Sequence, residues 1–314
     1  MYMDVFFLLL SIVVIVKGSD MLVDGCVNLA KFLRVPTLVI GLTVVAIATG
    51  VPEIAISITS SIKESNGLLL GNLLGSNMFN ILFILGLIAL IKPLLVKREI
   101  IIKNYLFALL SCFVLFVISY DVYFGDEAYN VITRSEGILL LCFAGIFLYS
   151  TILGVMDENR LKIEKGKFTA KDALWILIGI LMVAISAEVI VNTSINISKW
   201  FGISENLIGL TVIAVGTNLP ELVTSVVAVR KGEIDMAIGN LVGTNIYNIF
   251  LILGIAATIN PIAISPSSFM DIIILAITSI IVYIFIQHKK DISKMEGILM
   301  IGLYMVYIVY VVIR

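Results

Sequence analysis

Long apolar runs separated by short polar stretches make up nearly the whole chain. Ten of these runs reach the roughly 20 residues that a helix needs to cross the hydrocarbon core of a bilayer. They cover about 3–30, 36–61, 68–92, 100–120, 135–155, 171–198, 205–230, 236–260, 268–287 and 294–313. The first and sixth runs are long and become polar toward their C-terminal ends, which indicates tilt or protrusion. The pattern predicts an all-α membrane protein with ten transmembrane helices.

Composition supports lipid as the main solvent and excludes several classes of function. Hydrophobic residues make up 60% of the chain and charged residues 14%, whereas soluble domains average about 25% charged residues. A net charge of −1 gives no overall electrostatic attraction to nucleic acid, so no nucleic-acid partner is expected. Three cysteines without C-x-x-C spacing and a single histidine, His288, predict neither a disulfide framework nor a histidine metal site. No cofactor is therefore expected.

The basic residues predict the orientation of the spans. One side of the predicted bundle carries 16 lysines and arginines, and the other carries 4. Because basic loops stay in the cytoplasm, both termini are predicted to lie outside, with the central connection 156–171 in the cytoplasm. We expect a plasma-membrane protein of a prokaryote. Within the first run, the apolar stretch 5–16 is preceded by residues 1–4, which carry no positive side chain, and this favours a retained span over a cleaved signal peptide.

The chain contains an internal repeat. Residues 40–86 align with 208–254 at a constant offset of 168, with 21 identities in 47 positions. This predicts a first five-helix repeat over 1–155 and a second over 172–314. Five is an odd number of crossings, so the two copies must insert with opposite orientations, which is the architecture of many secondary transporters. A duplicated scaffold without transport is the alternative.

One glutamate lies near the middle of an apolar run in each repeat, Glu53 and Glu221. A charge at that depth costs about 2.5–3.5 kcal/mol on insertion scales, so such residues generally mark functional sites. Pro52 and Pro220, which precede them, cannot donate backbone hydrogen bonds and leave carbonyls unpaired. We expect the two carboxylates to converge near the midplane and to form one acidic site for a cation.

The neighbouring side chains offer only oxygen ligands. Each glutamate has a threonine four residues earlier, on the same face of a regular helix, and a hydroxyl–amide pair with the same spacing recurs in the third and eighth spans. The residues are Thr49, Thr217, Ser76, Asn80, Thr244 and Asn248. Oxygen-only sets suit Ca²⁺, Na⁺ or Mg²⁺. Alternatively, the prolines only kink their helices and the polar groups hold helices together.

At these positions the chain resembles the cation/Ca²⁺ antiporter superfamily, and especially its sodium/calcium exchanger branch. That family's two repeats read approximately G-T-S-x-P-E and G-S-x-x-x-[ND]. The matching segments are Ala48-Thr-Gly-Val-Pro-Glu53, Gly75-Ser-Asn-Met-Phe-Asn80, Gly216-Thr-Asn-Leu-Pro-Glu221 and Gly243-Thr-Asn-Ile-Tyr-Asn248.

The resemblance implies a set of ion ligands. Glu53 and Glu221 would bind Ca²⁺ or Na⁺ alternately, aided by the carbonyls of Thr49 and Thr217, with Asn80 and Asn248 at the centre. The Ala46 carbonyl and Thr244 would serve one flanking sodium site. The Ala214 carbonyl, Asn218 and Ser76 would serve the other. The long first and sixth helices would slide to expose the site to each side in turn.

Comparison with the family pattern also affects the expected coupling. Gly50 and Asn218 stand where serine is usual, so one flanking sodium site loses a side-chain oxygen. Asn248 replaces an aspartate that is found in potassium-dependent relatives, which argues against a potassium requirement. Pro52 and Pro220 argue against the proton-coupled branch.

The sequence thus predicts a secondary-active antiporter that exchanges Na⁺ for Ca²⁺. H⁺-coupled exchange of Ca²⁺ or another divalent cation at the same glutamates is the main alternative, and a passive cation channel is a third. An enzyme is not expected, because the spans contain no nucleophile–base pair.

Overall fold

The computed structural model describes residues 2–92, 94–95, 98–120, 122, 130–153, 165–201, 214–288 and 291–313. Seven of its helices are long and apolar enough to cross a membrane, and the number is eight if one bent pair counts as a single span. Two of the ten predicted runs stand outside that number. The fourth contains the shorter apolar helix Asn104–Ile118, and the seventh begins in 202–213, outside the described residues.

The described segments are almost entirely helical. The α-helices are α1 Tyr2–Leu33, α2 Thr37–Ile40, α3 Ala46–Thr49, α4 Val51–Ile62, α5 Asn66–Met78, α6 Leu85–Ile91, α7 Arg98–Ile118, α8 Arg134–Leu153, α9 Ala170–Trp200, α10 Ala214–Gly216, α11 Leu219–Arg230, α12 Ile234–Tyr247, α13 Leu253–Ile259, α14 Pro266–His288 and α15 Lys294–Ile313. Three π-helical segments continue some of these helices, π1 Gly41–Val45, π2 Phe79–Ile84 and π3 Asn248–Ile252.

The prediction of an all-α chain was wrong in one detail. Within the described ranges, four two-residue strands lie between helices: β1 Leu94–Leu95, β2 Val131–Ile132, β3 Ile262–Ala263 and β4 Asp291–Ile292. Strand β1 pairs antiparallel with β4, and β2 pairs antiparallel with β3. Each pair joins one strand from each half of the chain. Backbone pairing of this kind satisfies polar groups where the helices end.

The chain divides into two compact units. The first comprises Met1–Pro52, Val155–Leu241 and Met305–Arg314, and the second comprises Glu53–Gly154 and Val242–Tyr304. In the first unit, α1 packs along α9 and also contacts α11. Ile15 of α1 lies in a buried cluster with Val183 and Ala187 of α9.

Two hydrogen bonds between asparagine and aspartate join α1 to α9. The Asn28 amide donates to Asp172 at 2.8 Å, and the Asn196 amide donates to Asp4 at 3.2 Å. Asn28 and Asn196 are 168 residues apart, as are Asp4 and Asp172, so the two bonds correspond across the repeat. Asp172 also accepts hydrogen bonds from the amide and hydroxyl of Thr169, forming a capping box at the start of α9.

Replacing the two aspartates should separate the contributions of these bonds. Asp172→Ala should lower the melting temperature, because it removes a helix cap and leaves the Asn28 amide without this acceptor. Asp4→Ala should lower the melting temperature less, because Asn196 is exposed and water can replace the carboxylate. Thermal unfolding of the purified variants in detergent measures both values. Equal destabilisation would contradict the explanation.

The second unit is built around two helix contacts and a set of buried aromatic rings. Helix α7 packs on α14, and α8 packs on α13. Glycines allow close approach at two crossings, Gly86 with Gly297 and Gly137 with Gly254. A Cβ on either member of a pair would lie 2.7–3.1 Å from the carbonyl oxygen of the other. Phe79, Phe147 and Phe250 are among its largest fully buried side chains.

Candidate functional site

The second predicted span is interrupted next to its glutamate. Helical structure over Thr37–Thr49 stops at Gly50, and α4 continues from Val51 after a bend of 50°. Pro52 explains the interruption, because it has no N–H to donate into the preceding turn. The prediction that Thr49 and Glu53 share one face of a regular helix was therefore wrong. The Ala46 carbonyl accepts a hydrogen bond from the Gly50 amide at 3.1 Å.

The second repeat is interrupted at the corresponding place. The described part of this span begins with Ala214, α10 ends at Gly216, and α11 starts at Leu219 with Pro220 in its first turn. The predicted helical face shared by Thr217 and Glu221 is thus also absent. The amide side chain of Asn218 is buried and donates to the Thr217 hydroxyl at 3.3 Å.

In the first unit, buried polar side chains form a chain of hydrogen bonds that includes Thr49. The Thr49 hydroxyl donates to the side-chain oxygen of Asn240, Oδ1, at 3.1 Å. The amide nitrogen of Asn240 donates in turn to the Ser225 hydroxyl at 3.2 Å. Each of these side chains is buried. Asn240 therefore fixes the hydroxyl group of Thr49, a role that the sequence analysis missed.

Glu221 is fully buried in the same unit. The Thr49 hydroxyl interacts with this carboxylate, but its hydrogen bond goes to Asn240. Neither carboxylate oxygen accepts a hydrogen bond from a described residue. Isolated charges are expensive to bury unless a counter-charge or several donors compensate them. Among the described residues, this carboxylate is therefore a candidate ligand for a cation.

The second unit contains Glu53, which is also fully buried. Ser57 lies one turn further along α4, and its hydroxyl is buried as well. Glu53 thus occupies an environment from which water is excluded. Both glutamates are thus buried, each within its own unit.

Four asparagines and one serine form a second buried cluster in this unit. The Asn80 amide nitrogen donates to Asn245 Oδ1 at 3.0 Å, and that of Asn248 donates to Asn77 Oδ1 at 2.9 Å and to Ser76 Oγ at 3.2 Å. The side-chain oxygens of Asn80 and Asn248 are buried and accept no hydrogen bond among the described residues. Two amide oxygens are thus left available as ligands.

The structure brings together some of the predicted residues and adds others. Thr49, Thr217, Asn218 and Glu221 lie in the first unit, and Ser76, Asn80 and Asn248 are linked in the second. Thr244 is buried in the second unit, and Ala214 begins α10. The residues that the sequence analysis missed are Asn77, Asn245, Asn240 and Ser225. All four are among the repeat identities, and that signal could have identified them.

The donor set is unlike that of a transition-metal site. Within the described ranges, no group of three or more His, Cys, Asp or Glu side chains is placed to hold a metal. The buried polar groups are instead carboxylates, hydroxyls and amides. Such oxygen sets suit hard cations, as the sequence predicted.

The exposed acidic residues of α1 form a separate feature. Lys231, which follows α11, lies 2.7 Å from the Asp24 carboxylate and 3.3 Å from that of Asp20. Its ammonium also donates to the Asp20 backbone carbonyl at 3.0 Å. All three side chains are partly exposed, and exposed pairs of this kind contribute about 0–1 kcal/mol. These residues therefore connect α1 to the turn after α11 and are no part of the buried clusters.

Comparisons with known proteins identify the family of this chain. Residues 3–153 and 171–313 match the family model described as sodium/calcium exchanger protein. The inner membrane protein YrbG of Escherichia coli is 33% identical, over 96% of this chain and 94% of its own length. The sodium/calcium exchanger MaX1 of Methanosarcina acetivorans is 32% identical, over 96% of each chain.

Solved structures give the same result. A structure of the sodium-calcium exchanger NCX_Mj, soaked with zero Na⁺ and Ca²⁺, aligns with a TM-score of 0.85 and 30% identity. The alignment covers 98% of both chains. Both the sequence and the fold of this membrane protein thus match one family of exchangers, and the chain belongs to the sodium/calcium exchanger family.

Proposed function

We propose that this protein exchanges Na⁺ for Ca²⁺ across the membrane by alternating access, with Glu53 and Glu221 as the carboxylates that bind the two ions in turn. The observation that carries the proposal is the state of Glu221. It is fully buried, and its carboxylate oxygens accept no hydrogen bond from any residue that the structure describes, in a chain that matches an exchanger family over both halves.

The charge of the two glutamates supports competition between the ions. Two ionised carboxylates carry a charge of about −2, which one Ca²⁺ or two Na⁺ would neutralise, whereas a third Na⁺ would leave about +1. Binding of one Ca²⁺ or of two Na⁺ offsets the free-energy cost of burying the carboxylates. Antiport follows when only a neutralised site crosses between the two access states.

The other predicted ligands complete the proposed site. Thr49 and Thr217 contribute carbonyl oxygens, and Asn80 and Asn248 contribute amide oxygens. The Ala46 carbonyl with Thr244, and the Ala214 carbonyl with Asn218 and Ser76, are proposed to serve the flanking sodium sites. The buried amide oxygens of Asn80 and Asn248 support the central part of this assignment.

We further infer that the chain has ten transmembrane helices in two inverted repeats, with both termini outside. Reciprocal contacts support the repeat. In the first unit, the Asn28–Asp172 bond corresponds to Asn196–Asp4. In the second unit, the β1–β4 pair corresponds to β3–β2, because β1 and β3 are 168 residues apart. A two-fold relation between the halves produces such reciprocal pairs.

Ion flux into proteoliposomes tests the function. Vesicles loaded with Na⁺ and diluted into Na⁺-free medium with ⁴⁵Ca²⁺ should accumulate the isotope, and collapsing the Na⁺ gradient with an ionophore should stop uptake. Imposed K⁺ or H⁺ gradients without Na⁺ should give no uptake. Voltage dependence of the flux would show whether a third Na⁺ moves despite the missing side chain at Gly50.

Two results would contradict this proposal. Uptake driven by a pH gradient without Na⁺ would establish the H⁺-coupled alternative. Ca²⁺ flux that needs no counter-ion on the opposite side would establish a channel.

A further inference from the structure

The amide cluster of the second unit has a two-fold pattern that the proposed ligand set does not explain. Asn77 and Asn245 each donate a side-chain hydrogen bond to the backbone carbonyl of the other, both at 3.3 Å. They are 168 residues apart and occupy equivalent positions in the repeat. Both side chains are buried. These bonds fix which end of each amide carries its nitrogen.

With their nitrogens fixed, Asn77 and Asn245 present their oxygens to two other amides. Asn77 Oδ1 accepts from the nitrogen of Asn248, and Asn245 Oδ1 accepts from the nitrogen of Asn80. If Asn248 were flipped, its oxygen would face the oxygen of Asn77, an arrangement without a hydrogen. The same holds for Asn80 and Asn245. Each donor–acceptor pair therefore allows one orientation.

In that orientation, two amide oxygens point away from the donors of the cluster and are shielded from water. Asn80 Oδ1 and Asn248 Oδ1 are buried and accept no hydrogen bond from any described residue. A buried acceptor without a donor is destabilising, so native structures keep one where something else satisfies it. A bound cation does this, because an amide oxygen is a good ligand for Na⁺ or Ca²⁺.

The backbone at these two residues is also irregular in the same way. Asn80 lies in the π-helical segment Phe79–Ile84, and Asn248 begins the π-helical segment Asn248–Ile252. Single π-helical turns inside α-helices are rare and occur frequently at functional sites. Both amides thus lie where each helix departs from regular geometry.

We propose that Asn77 and Asn245 are positioning residues that hold the amides of Asn248 and Asn80 with their oxygens directed at the transported cation. This inference rests on the proposed ion exchange and adds to it the pair that sets ligand orientation. Neither Asn77 nor Asn245 needs to touch the ion. Without Asn245, the Asn80 amide can rotate and present its nitrogen, which repels a cation. Without Asn77, Asn248 still contacts the Ser76 hydroxyl, but a hydroxyl can accept from the amide nitrogen or donate to the amide oxygen and so does not fix the orientation.

A double-mutant cycle tests this role. In Asn77→Ala, the Ca²⁺ concentration for half-maximal Na⁺-driven uptake should rise about tenfold or more, because a ligand amide loses its fixed orientation. The maximal rate should change much less. Asn248→Asp removes the need for orientation, because both carboxylate oxygens can bind the ion. In that background, Asn77→Ala should change the half-maximal Ca²⁺ concentration by no more than about twofold.

A merely structural role gives different results. Asn77→Ala would then lower the thermal stability and leave the half-maximal Ca²⁺ concentration unchanged, or it would have the same effect in both backgrounds. Either result overturns the inference. If Asn77→Ala does not fold, Asn77→Asp serves instead, because it keeps an oxygen facing the Asn248 nitrogen. It should bind Ca²⁺ at least as tightly as the wild type, and a tenfold weakening would overturn the inference.

The wild-type measurements separate this inference from the proposed function. If the wild type exchanges the ions and both glutamates are required, but Asn77→Ala and Asn245→Ala keep their Ca²⁺ dependence, only the positioning role fails. If the wild type shows no Na⁺-driven Ca²⁺ uptake, the proposed function fails and this inference fails with it.

Discussion

Replacing Glu221 or Glu53 by glutamine should reduce Na⁺-driven Ca²⁺ uptake at least about 100-fold. Each change removes one negative charge from a fully buried position, and loss of one partner of a buried charge pair costs about 3–5 kcal/mol. At 1.4 kcal/mol per factor of ten, this corresponds to roughly two to four orders of magnitude in affinity. Initial ⁴⁵Ca²⁺ uptake rates in proteoliposomes with equal protein content measure the effect.

A stability measurement tests whether the glutamine variants remain folded. Without ions, Glu221→Gln should unfold at the same temperature as the wild type or higher, because a neutral amide is cheaper to bury than a carboxylate. Addition of Ca²⁺ should stabilise the wild type and not the variant. Glu64→Gln is the matched control, since Glu64 is exposed in the turn after α4. A variant of either buried glutamate with the wild-type uptake rate would refute the proposed site.

Alanine at Gly41 or Gly239 should be the most damaging small substitution in the first unit. A Cβ at Gly41 would lie 2.4 Å from the Met236 carbonyl oxygen, and one at Gly239 would lie 2.5 Å from that of Leu38. Both neighbours are backbone atoms, which cannot rotate away as a side chain can. We expect a loss of about 3 kcal/mol and a melting temperature about 5–10 °C lower.

Gly145→Ala provides the control for this second prediction. Gly145 lies within α8, and an added Cβ there has no described atom within 4 Å. Because alanine is also the better helix former, this variant should match or exceed the wild type in stability. Thermal unfolding in detergent, followed by size-exclusion chromatography, compares the three variants. Equal melting temperatures for the two substitutions and the control would show that the segments around Gly41 and Gly239 can move apart at little cost.

The sequence predicted the membrane location and the burial of both glutamates for a simple reason. Apolar runs of about 20 residues have few alternatives to spanning a bilayer, and an acidic residue within such a run has no water nearby. The repeat, with its constant offset, also showed that the candidate site residues occur in equivalent pairs, such as Glu53 and Glu221. Composition, run length and internal identity are properties of the chain itself, so no folding was needed to recognise them.

The local backbone geometry around the two glutamates could not be predicted from the sequence in the same way. A regular helix through Thr49 and Glu53 was the natural expectation, but the chain stops being helical at Gly50 and bends by 50°. The pattern contains Pro52 and Gly50, yet a proline in an apolar run is compatible with either a kinked helix or a broken one. Packing decides between them.

The sequence by itself determined that this is a helical membrane protein of two related halves with one buried carboxylate in each. Only the tertiary structure decided which polar side chains contact the proposed ligands. Asn77 contacts Asn245 and Asn248 across about 170 residues of sequence, and no local period encodes such a contact. Hydrogen bonds between distant amides depend on how two helices cross, and that crossing exists only once the chain has folded.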